Sequence, residues 1–467
     1  MQRSTLPYPA RSICAMLALA LALGVGAQDL SAQSPQTRLV VRDNLGLAGV
    51  LNLCGLLGCS QVEGLGDPQG QLFMIQVPPA LGSLGSLLNL NVLGLVSIET
   101  DQTVVTQAAN IGSLPSYLND NAPYNYYGTT VWHGYVFQTG NQLIATNSTH
   151  AAFATTGSGV IVADIDTGVD PTHPVLQGVL LPGYDFTRNQ SGSSEMADVS
   201  QSTVGVLDGE GMTTAQVSQS TVAVLDQSTV GVLDGGPYGA FGHGTMTAGI
   251  IHLVAPQAQI MPLKAFRADG TAYNSDVLRA IYYAVGHGAK VINMSFNYST
   301  YSLELANAVS YAIASGTICV AAAGNSGLET TVYPAGLKGV IDVASTSNED
   351  VRSTFSNYGA PPVWLAAPGE GVMTTYPYGT YAAGWGTSFS TPMVSGTVAL
   401  MVSVYNANSN SSGLLGLLTA TLSKSSVGPQ AANTLSHADP ISDPTMGYGR
   451  LDAYRAVQAW RKYLGLN

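Results

Sequence analysis

Four short stretches hold residue types suited to acyl-transfer chemistry. Ser388 lies in Gly386-Thr387-Ser388-Phe389-Ser390-Thr391-Pro392-Met393, a turn of small residues that runs into an apolar helical pattern. A serine hydroxyl is a weak nucleophile until a neighbouring base takes its proton. Histidine suits that role because it titrates near neutrality, and a carboxylate is needed to hold its tautomer and stabilise the imidazolium. His243 stands between two glycines in Gly242-His243-Gly244-Thr245, and Asp166 ends the apolar run Val160-Ile161-Val162-Ala163-Asp164-Ile165 ahead of Thr167-Gly168. Asn325, in Ala322-Ala323-Gly324-Asn325-Ser326-Gly327, follows another apolar run. There it could aim its amide NH2 at a developing oxyanion, with the Ser388 N–H as second donor. Each motif alone has a plainer reading. A serine before a helix is usually a cap, Asp-Thr-Gly occurs in unrelated proteins that pair two such carboxylates, and the other two are ordinary turns. Their order in one chain is what a single chemistry explains.

These residues are far apart in sequence, so only the fold can assemble them. Apolar runs at 157–166, 290–294, 317–324, 340–344 and 363–367 alternate with helical patterns at 277–286, 303–315 (capped by Ser302) and 243–253. Continuous apolar strands between amphipathic helices predict an α/β fold with a mostly parallel sheet covered on both faces. Ligands in such sheets bind beyond the carboxyl ends of the strands, where Asp166 and Asn325 fall.

Composition bounds the rest. The 467 residues are 46% apolar and 9% charged, with 16 Lys+Arg against 28 Asp+Glu and a formal charge of −12. The chain is too apolar to be disordered and too poor in cations for a nucleic-acid surface. Arg3 and Arg11 precede an apolar run at 13–25 that ends in Val25-Gly26-Ala27, the pattern of a cleaved signal segment (1–27), with a membrane anchor or a buried helix as the other readings. No later run is both long and apolar enough for a second span, so no stable membrane span is expected after cleavage. A secreted or periplasmic location follows. Cys54 and Cys59 are either disulfide-bonded or two small buried thiols; Cys319 reads as a buried hydrophobe, and no Cys/His spacing suggests zinc.

Residues 28–105 hold a small α+β unit, with strands expected at 38–42, 71–77 and 94–99 and helices at 45–57 and 81–92. A connector rich in Asn, Pro, Gly and Tyr follows at 106–146, and the large domain spans 147–467. Inside it, Gln201-Ser202-Thr203-Val204-Gly205-Val206-Leu207-Asp208 recurs at 219–226 and 227–234, marking an insertion at about 190–236. Three short copies are too few for a solenoid. Asp185, Asp208, Asp226 and Asp234 in or near it invite a structural calcium reading, although the spacing lacks the oxygen density of a dedicated loop.

The sequence resembles the subtilisin-like serine peptidases, or subtilases, from about 147 to 459. The matching segments are 162–170, 242–249, 291–295, 322–327 and 386–396, with weaker ones at Tyr333-Pro334-Ala335, 355–359, 366–369 and 447–451. The resemblance implies a serine endopeptidase acting on polypeptides. Asp166 would be the acid, His243 the base, Ser388 the nucleophile and Asn325 the oxyanion side chain. Ser295, Phe296, Asn297, Ala323 and Gly324 would line the substrate. It implies an N-terminal propeptide that assists folding and inhibits the active site, a permanent accessory domain being the other reading. It requires no cofactor for chemistry, while structural calcium is common in the family. Met246 stands where the family usually has a second histidine, Phe389-Ser390 replaces Met-Ala, and Ser295-Phe296-Asn297 replaces Ser-Leu-Gly at the presumed S1 entrance. The pocket stretches carry no charge, which favours a broad or apolar P1 preference. An inert binding or structural protein on the same fold would be expected to lose one of the four site residues. An α/β-hydrolase esterase would order them Ser, acid, His around a Gly-x-Ser-x-Gly elbow. Neither pattern is present.

Overall fold

The computed structural model describes residues 36–79, 94–105, 116–198, 221–224, 239–359, 363–406 and 445–466. In the N-terminal unit β1 (Thr37–Asp43) pairs antiparallel with β3 (Leu72–Val77) and β4 (Leu95–Thr100), while β2 (Gln61–Gly64) flanks β3. Helix α1 (Leu47–Leu57) covers one face. Because strand side chains alternate, Leu39 and Val41 pack with Val50 and Leu57 of α1, whereas Val40, Leu72 and Met74 face a core shared with the large domain. The expected helix at 81–92 lies outside the described residues. Strand β2 escaped sequence reading because Gln61-Val62-Glu63-Gly64 shows no apolar alternation. Of the two readings for the cysteines, the disulfide is the one found: Cys54 and Cys59 are bonded and tie the end of α1 to the approach of β2, while Cys319 is free and buried. After β4 the chain forms β5 (Thr103–Val105).

The large domain is built on β6 (Ile161–Asp166), β7 (Tyr184–Asp185), β8 (Gln190–Ser191), α2 (His243–Val254), β9 (Gln259–Lys264), β10 (Thr271–Tyr273), α3 (Asn274–Gly286), β11 (Val291–Met294), α4 (Leu303–Ala314), β12 (Ile318–Ala322), β13 (Ile341–Thr346) and β14 (Leu365–Pro368). A hairpin, β15 (Val372–Tyr376) and β16 (Thr380–Trp385), leads to α5 (Thr387–Asn406), and α6 (Ala453–Tyr463) follows. The main sheet runs β8-β7-β9-β6-β11-β12-β13-β14, parallel except for β7 with β8. Val162, Ile260, Val291, Val320 and Val343 point to the side of α2, α5 and α6, and Ala163, Ile165, Met261, Ile292 and Ala321 to the side of α3 and α4. Asp164 and Asp166 share the phase of Val162, so strand periodicity turns both carboxylates toward α2 and α5.

Three expectations change. The stretch Thr387–Tyr405 of α5 is long and apolar enough to cross a membrane, yet it is 94% buried inside the protein, so its apolar character serves the core. From Ser116 onward the expected connector is exposed only in part: 121–125, Tyr127 and Gly128 face solvent, whereas Leu118, Tyr126, Val131, Tyr135 and Val136 pack with Leu253, Met373 and Trp385. Tyr126 and Tyr135 bury their rings while their hydroxyls find partners, Tyr126 on the Leu253 carbonyl at 2.5 Å and Tyr135 on the Gly249 carbonyl at 2.6 Å, whereas Tyr124 and Tyr127 stay exposed. Asp185 does not fit a calcium site, because its carboxylate accepts from Thr187 (2.6 Å) and pairs with Arg188 (2.7 Å). Asp208, Asp226 and Asp234 lie outside the described residues. So do the first and third repeats; the strand Thr221–Val224 of the second pairs antiparallel with β16.

Helices α2 and α5 meet at a glycine. A Cβ on Gly396 would stand 2.6 Å from the Cβ of Val254, an atom fixed to the opposing helix. Gly396→Ala should therefore lower stability by about 1–3 kcal/mol through overpacking, although alanine alone raises helix propensity by ~1 kcal/mol. Thermal unfolding checks the sign; a higher midpoint would contradict the close contact.

Candidate active site

The carboxyl end of β6 delivers Asp166, and the first residue of α2 is His243. Both are nearly excluded from solvent, and His243 Nδ1 lies 2.8 and 2.9 Å from the two Asp166 oxygens. The Thr167 N–H donates to Asp166 Oδ1 at 2.7 Å. Bonding at Nδ1 fixes the imidazole so that Nε2 faces the other way. Nε2 is buried and makes no hydrogen bond among the described residues. Burial alone would depress the His243 pKa, but the Asp166 charge and hydrogen bond, with Asp164 and Glu195 behind them, outweigh it and leave it raised from the ordinary 6.5.

The two elements are held together by close backbone approach. A Cβ on Gly244 would sit 1.9 Å from the Gly168 carbonyl oxygen, so nothing larger than glycine fits after the histidine without displacement. The Gly244 N–H donates to Thr167 Oγ1 at 2.9 Å. Glu195, fully buried, gathers the Thr167 hydroxyl (3.0 Å), the Gly242 N–H (2.8 Å) and the Thr245 hydroxyl. Burial pushes the Glu195 carboxyl up to about 7 against those hydrogen bonds and the charge of Lys264. Sequence reading did not find this clamp, because a lone glutamate 47 residues before Gly242 gives no spacing signal.

Ser388 is the second residue of α5, and the imidazole of His243 lies beside its neighbour Phe389, with ring centroids 5.7 Å apart. The Ser388 hydroxyl donates to the Ser295 carbonyl at 3.0 Å. Pro392 has no N–H to give to the Ser388 carbonyl one turn back; the Ser295 hydroxyl takes that place at 2.9 Å. Asn325 Oδ1 accepts from both the Thr387 N–H and the Thr387 hydroxyl, each at 2.9 Å. A backbone N–H can only donate, so this bond identifies the oxygen and turns Nδ2 to the other end of the amide.

The remaining expected residues form the adjoining walls. Ser295 and Phe296 are buried, Ser295 with its hydroxyl on the Ser388 carbonyl and Phe296 against Phe266 at 4.9 Å. Asn297 is nearly buried, and its Nδ2 lies 3.4 Å from where a Gly324 Cβ would stand, so segments 295–297 and 323–325 run side by side. Ala323 is buried. Sequence reading missed β10, whose outer edge pairs antiparallel with β5, Thr271 opposite Val105 and Tyr273 opposite Thr103.

Residues 157–449 match the family model described as the subtilase family. The chain is 33% identical over 319 residues to the thermophilic serine proteinase of Bacillus sp. strain AK1, covering 67% of this chain and 68% of that protein. It is 33% identical over 314 residues to thermitase of Thermoactinomyces vulgaris, covering 65% and 90%. Among solved structures, fervidolysin of Fervidobacterium pennivorans superposes with a TM-score of 0.65 over 92% of this chain and 62% of that one; at 21% identity this speaks for the fold alone. With a matching family model over most of its length, relatives of this identity and a central parallel strand that ends at Asp166, the chain belongs to the subtilase family of serine endopeptidases.

Proposed function

We propose that Ser388, His243 and Asp166 cleave peptide bonds through an acyl-enzyme. The observation that carries this reading is the buried pair of His243 with both Asp166 oxygens, its imidazole beside the residue that follows Ser388. The Ser388 hydroxyl rotates from the Ser295 carbonyl to His243, gives its proton to Nε2 and attacks the scissile carbonyl carbon. The oxyanion is met by Asn325 Nδ2, which Thr387 orients from the other end of the amide, and by the Ser388 N–H. The imidazolium returns the proton to the leaving amine as the C–N bond breaks. Water, activated by the same imidazole, then hydrolyses the ester and frees Ser388. The uncharged walls at Ser295, Phe296, Asn297, Ala323 and Gly324 favour uncharged P1 side chains, with Asn297 narrowing the entrance.

The N-terminal unit acts as an inhibitory propeptide of a secreted or periplasmic enzyme. Its docking contacts support this reading. Glu99 accepts from the Leu303 N–H (2.8 Å) and the Ser302 hydroxyl (2.7 Å), and Asp101 from the Ser275 N–H (2.9 Å) and hydroxyl (2.8 Å). Two carboxylates thus cap the N-termini of α4 and α3, where helices carry unpaired N–H groups and partial positive charge. Arg42 adds an ion pair to Glu304 at 2.6 Å, and the Arg38 guanidinium donates to the Ser275 hydroxyl at 3.0 Å. The following strand β5 then pairs antiparallel with β10 as an extended peptide would.

A serine-directed fluorophosphonate should label the mature enzyme at Ser388, and Ser388→Ala should abolish labelling. Asn325→Ala should retain part of the labelling while kcat falls by about 10²–10³. Because the raised His243 pKa keeps the imidazole protonated to higher pH, the acid limb of kcat/KM should lie above the ordinary histidine value of 6.5. Labelling elsewhere, or full turnover by Ser388→Ala, contradicts the scheme. For the propeptide, the wild type should yield a species that starts between residues 102 and 140, while Ser388→Ala keeps residue 28 onward. A fully active wild-type enzyme that still begins at Gln28 contradicts it.

A further inference from the structure

Beneath the reacting groups lies a second carboxyl that the scheme above does not use. Asp164 precedes Asp166 by two residues on β6, so both side chains leave the same face of the strand. It is 2% exposed, and no described lysine, arginine or histidine pairs with it. Its side-chain hydrogen bonds go to α2 and β11, and from β11 a further set runs on to α5. Oδ2 lies 2.8 Å from the Thr247 hydroxyl, one turn after His243 on α2, and that hydroxyl is also 3.1 Å from the Gly244 carbonyl. Oδ1 accepts from Asn293 Nδ2 at 2.9 Å. The same Asn293 NH2 group donates to Ser295 Oγ at 3.0 Å, and the Ser295 hydroxyl donates in turn to the Ser388 carbonyl at 2.9 Å. Asn293 Oδ1 accepts from the Ser395 hydroxyl on α5 at 2.8 Å.

We infer that Asp164 is a positioning residue of the reaction: a neutral carboxylic acid that donates its proton to the Thr247 hydroxyl and locks the acid strand to both the base helix and the nucleophile helix. The inference rests on the reading of Ser388, His243 and Asp166 given above and adds a residue to it.

The neutral state follows from the surroundings. Two buried carboxylates on one strand face cannot both be charged cheaply. Asp166 takes the set of donors that a carboxylate accepts, His243 Nδ1 and the Thr167 N–H. Asp164 has only an amide and a hydroxyl. The Thr247 hydroxyl resolves the proton count, because it can accept from the acid and donate to the Gly244 carbonyl, leaving each polar hydrogen with an acceptor. Burial first, and then the charge of Asp166, push the Asp164 carboxyl up to about 8, against the bonds from Thr247 and Asn293. The ionisable groups that face it are few. Helix α2 offers His243 and, much further along, His252. Strand β9 offers Lys264, whose ammonium is held by Asp198 and by the Thr167 and Phe266 carbonyls, each at 2.7 Å. Strand β11 has no ionisable side chain, α5 has no acid, lysine, arginine or histidine, and Glu195 is bonded to Thr167, Gly242 and Thr245 rather than to Asp164.

The test compares wild type, Asp164→Ala, Asp164→Asn and Thr247→Val in kcat, KM and the pH profile on a peptide ester, with fluorophosphonate labelling run beside it. Asp164→Ala should lower kcat roughly tenfold or more, with KM within about twofold, since alignment rather than binding is lost. Asp164→Asn keeps a donor toward Thr247 and an acceptor toward Asn293 without charge, so it should rescue most of that loss and keep the wild-type acid limb. No rescue, an acid limb moved to lower pH (the sign that a negative charge beside His243 was removed), or a wild-type kcat in Asp164→Ala overturns the inference. Should the Asp164 variants fail to fold, Thr247→Val leaves the acid in place and breaks the relay: a similar kcat loss supports the inference and a wild-type kcat overturns it. A wild type that labels elsewhere than Ser388 marks failure of the underlying scheme instead, and the inference falls with it.

Discussion

A charged carboxylate and an imidazole held together out of water impose their demands on everything around them. Asp166 and His243 are both nearly excluded from solvent, so losing either partner would strand the other. Their pairing needs β6 and the start of α2 at van der Waals contact, which is why Gly244 lies against Gly168. It also needs the intervening polar groups to be satisfied, which Thr167, Thr245 and Glu195 accomplish. Helix α5 completes the arrangement from the opposite side, packed so closely on α2 that Gly396 has no room for a methyl group. Pro392 in its second turn leaves the Ser388 carbonyl for Ser295 to bind, which fixes the start of that helix against β11.

The N-terminal unit fits the same logic at larger scale. Helices α3 and α4 end on the surface that the four-stranded sheet covers, and their first N–H groups are met by Glu99 and Asp101 rather than by residues of the large domain alone. Ser302 caps α4 from within, donating its own hydroxyl to Glu99 while accepting from the Leu305 N–H at 3.1 Å. The inner face of the sheet contributes Val40, Leu72 and Met74 to the core around α3 and α4. A parallel sheet assembles from contacts distant in sequence and is intrinsically slow. A docked unit that organises two of its helices offsets part of that ordering cost.

What could be read from the chain was what depends on local pattern. The strands at Ile161–Asp166, Val291–Met294 and Ile318–Ala322 announced themselves as apolar runs, and Ser302 as a helix start. Asp166, His243, Asn325 and Ser388 were found because glycines and small residues crowd around them for reasons the geometry makes plain. What escaped depends on tertiary neighbours. Asp164 looked like one more residue of an apolar strand, although an acid in a strand buried on both faces was itself a signal. Glu195 had no motif. Tyr126 and Tyr135 were read only as part of a connector, because composition does not distinguish an exposed tyrosine from a ring buried with its hydroxyl paired. The edge of β10 was invisible because its role lies in backbone groups, which every sequence has.

The central claim is that the charge of Asp166 and the tautomer it imposes on His243 make Ser388 reactive. Asp166→Asn tests this most directly, since the amide keeps the shape of the carboxylate and removes its charge. Steady-state kinetics of the purified variant, beside a thermal melt to verify its fold, should give a kcat lower by about 10⁴ with the melt little changed. A variant that melts like the wild type and retains kcat within about tenfold would contradict the account.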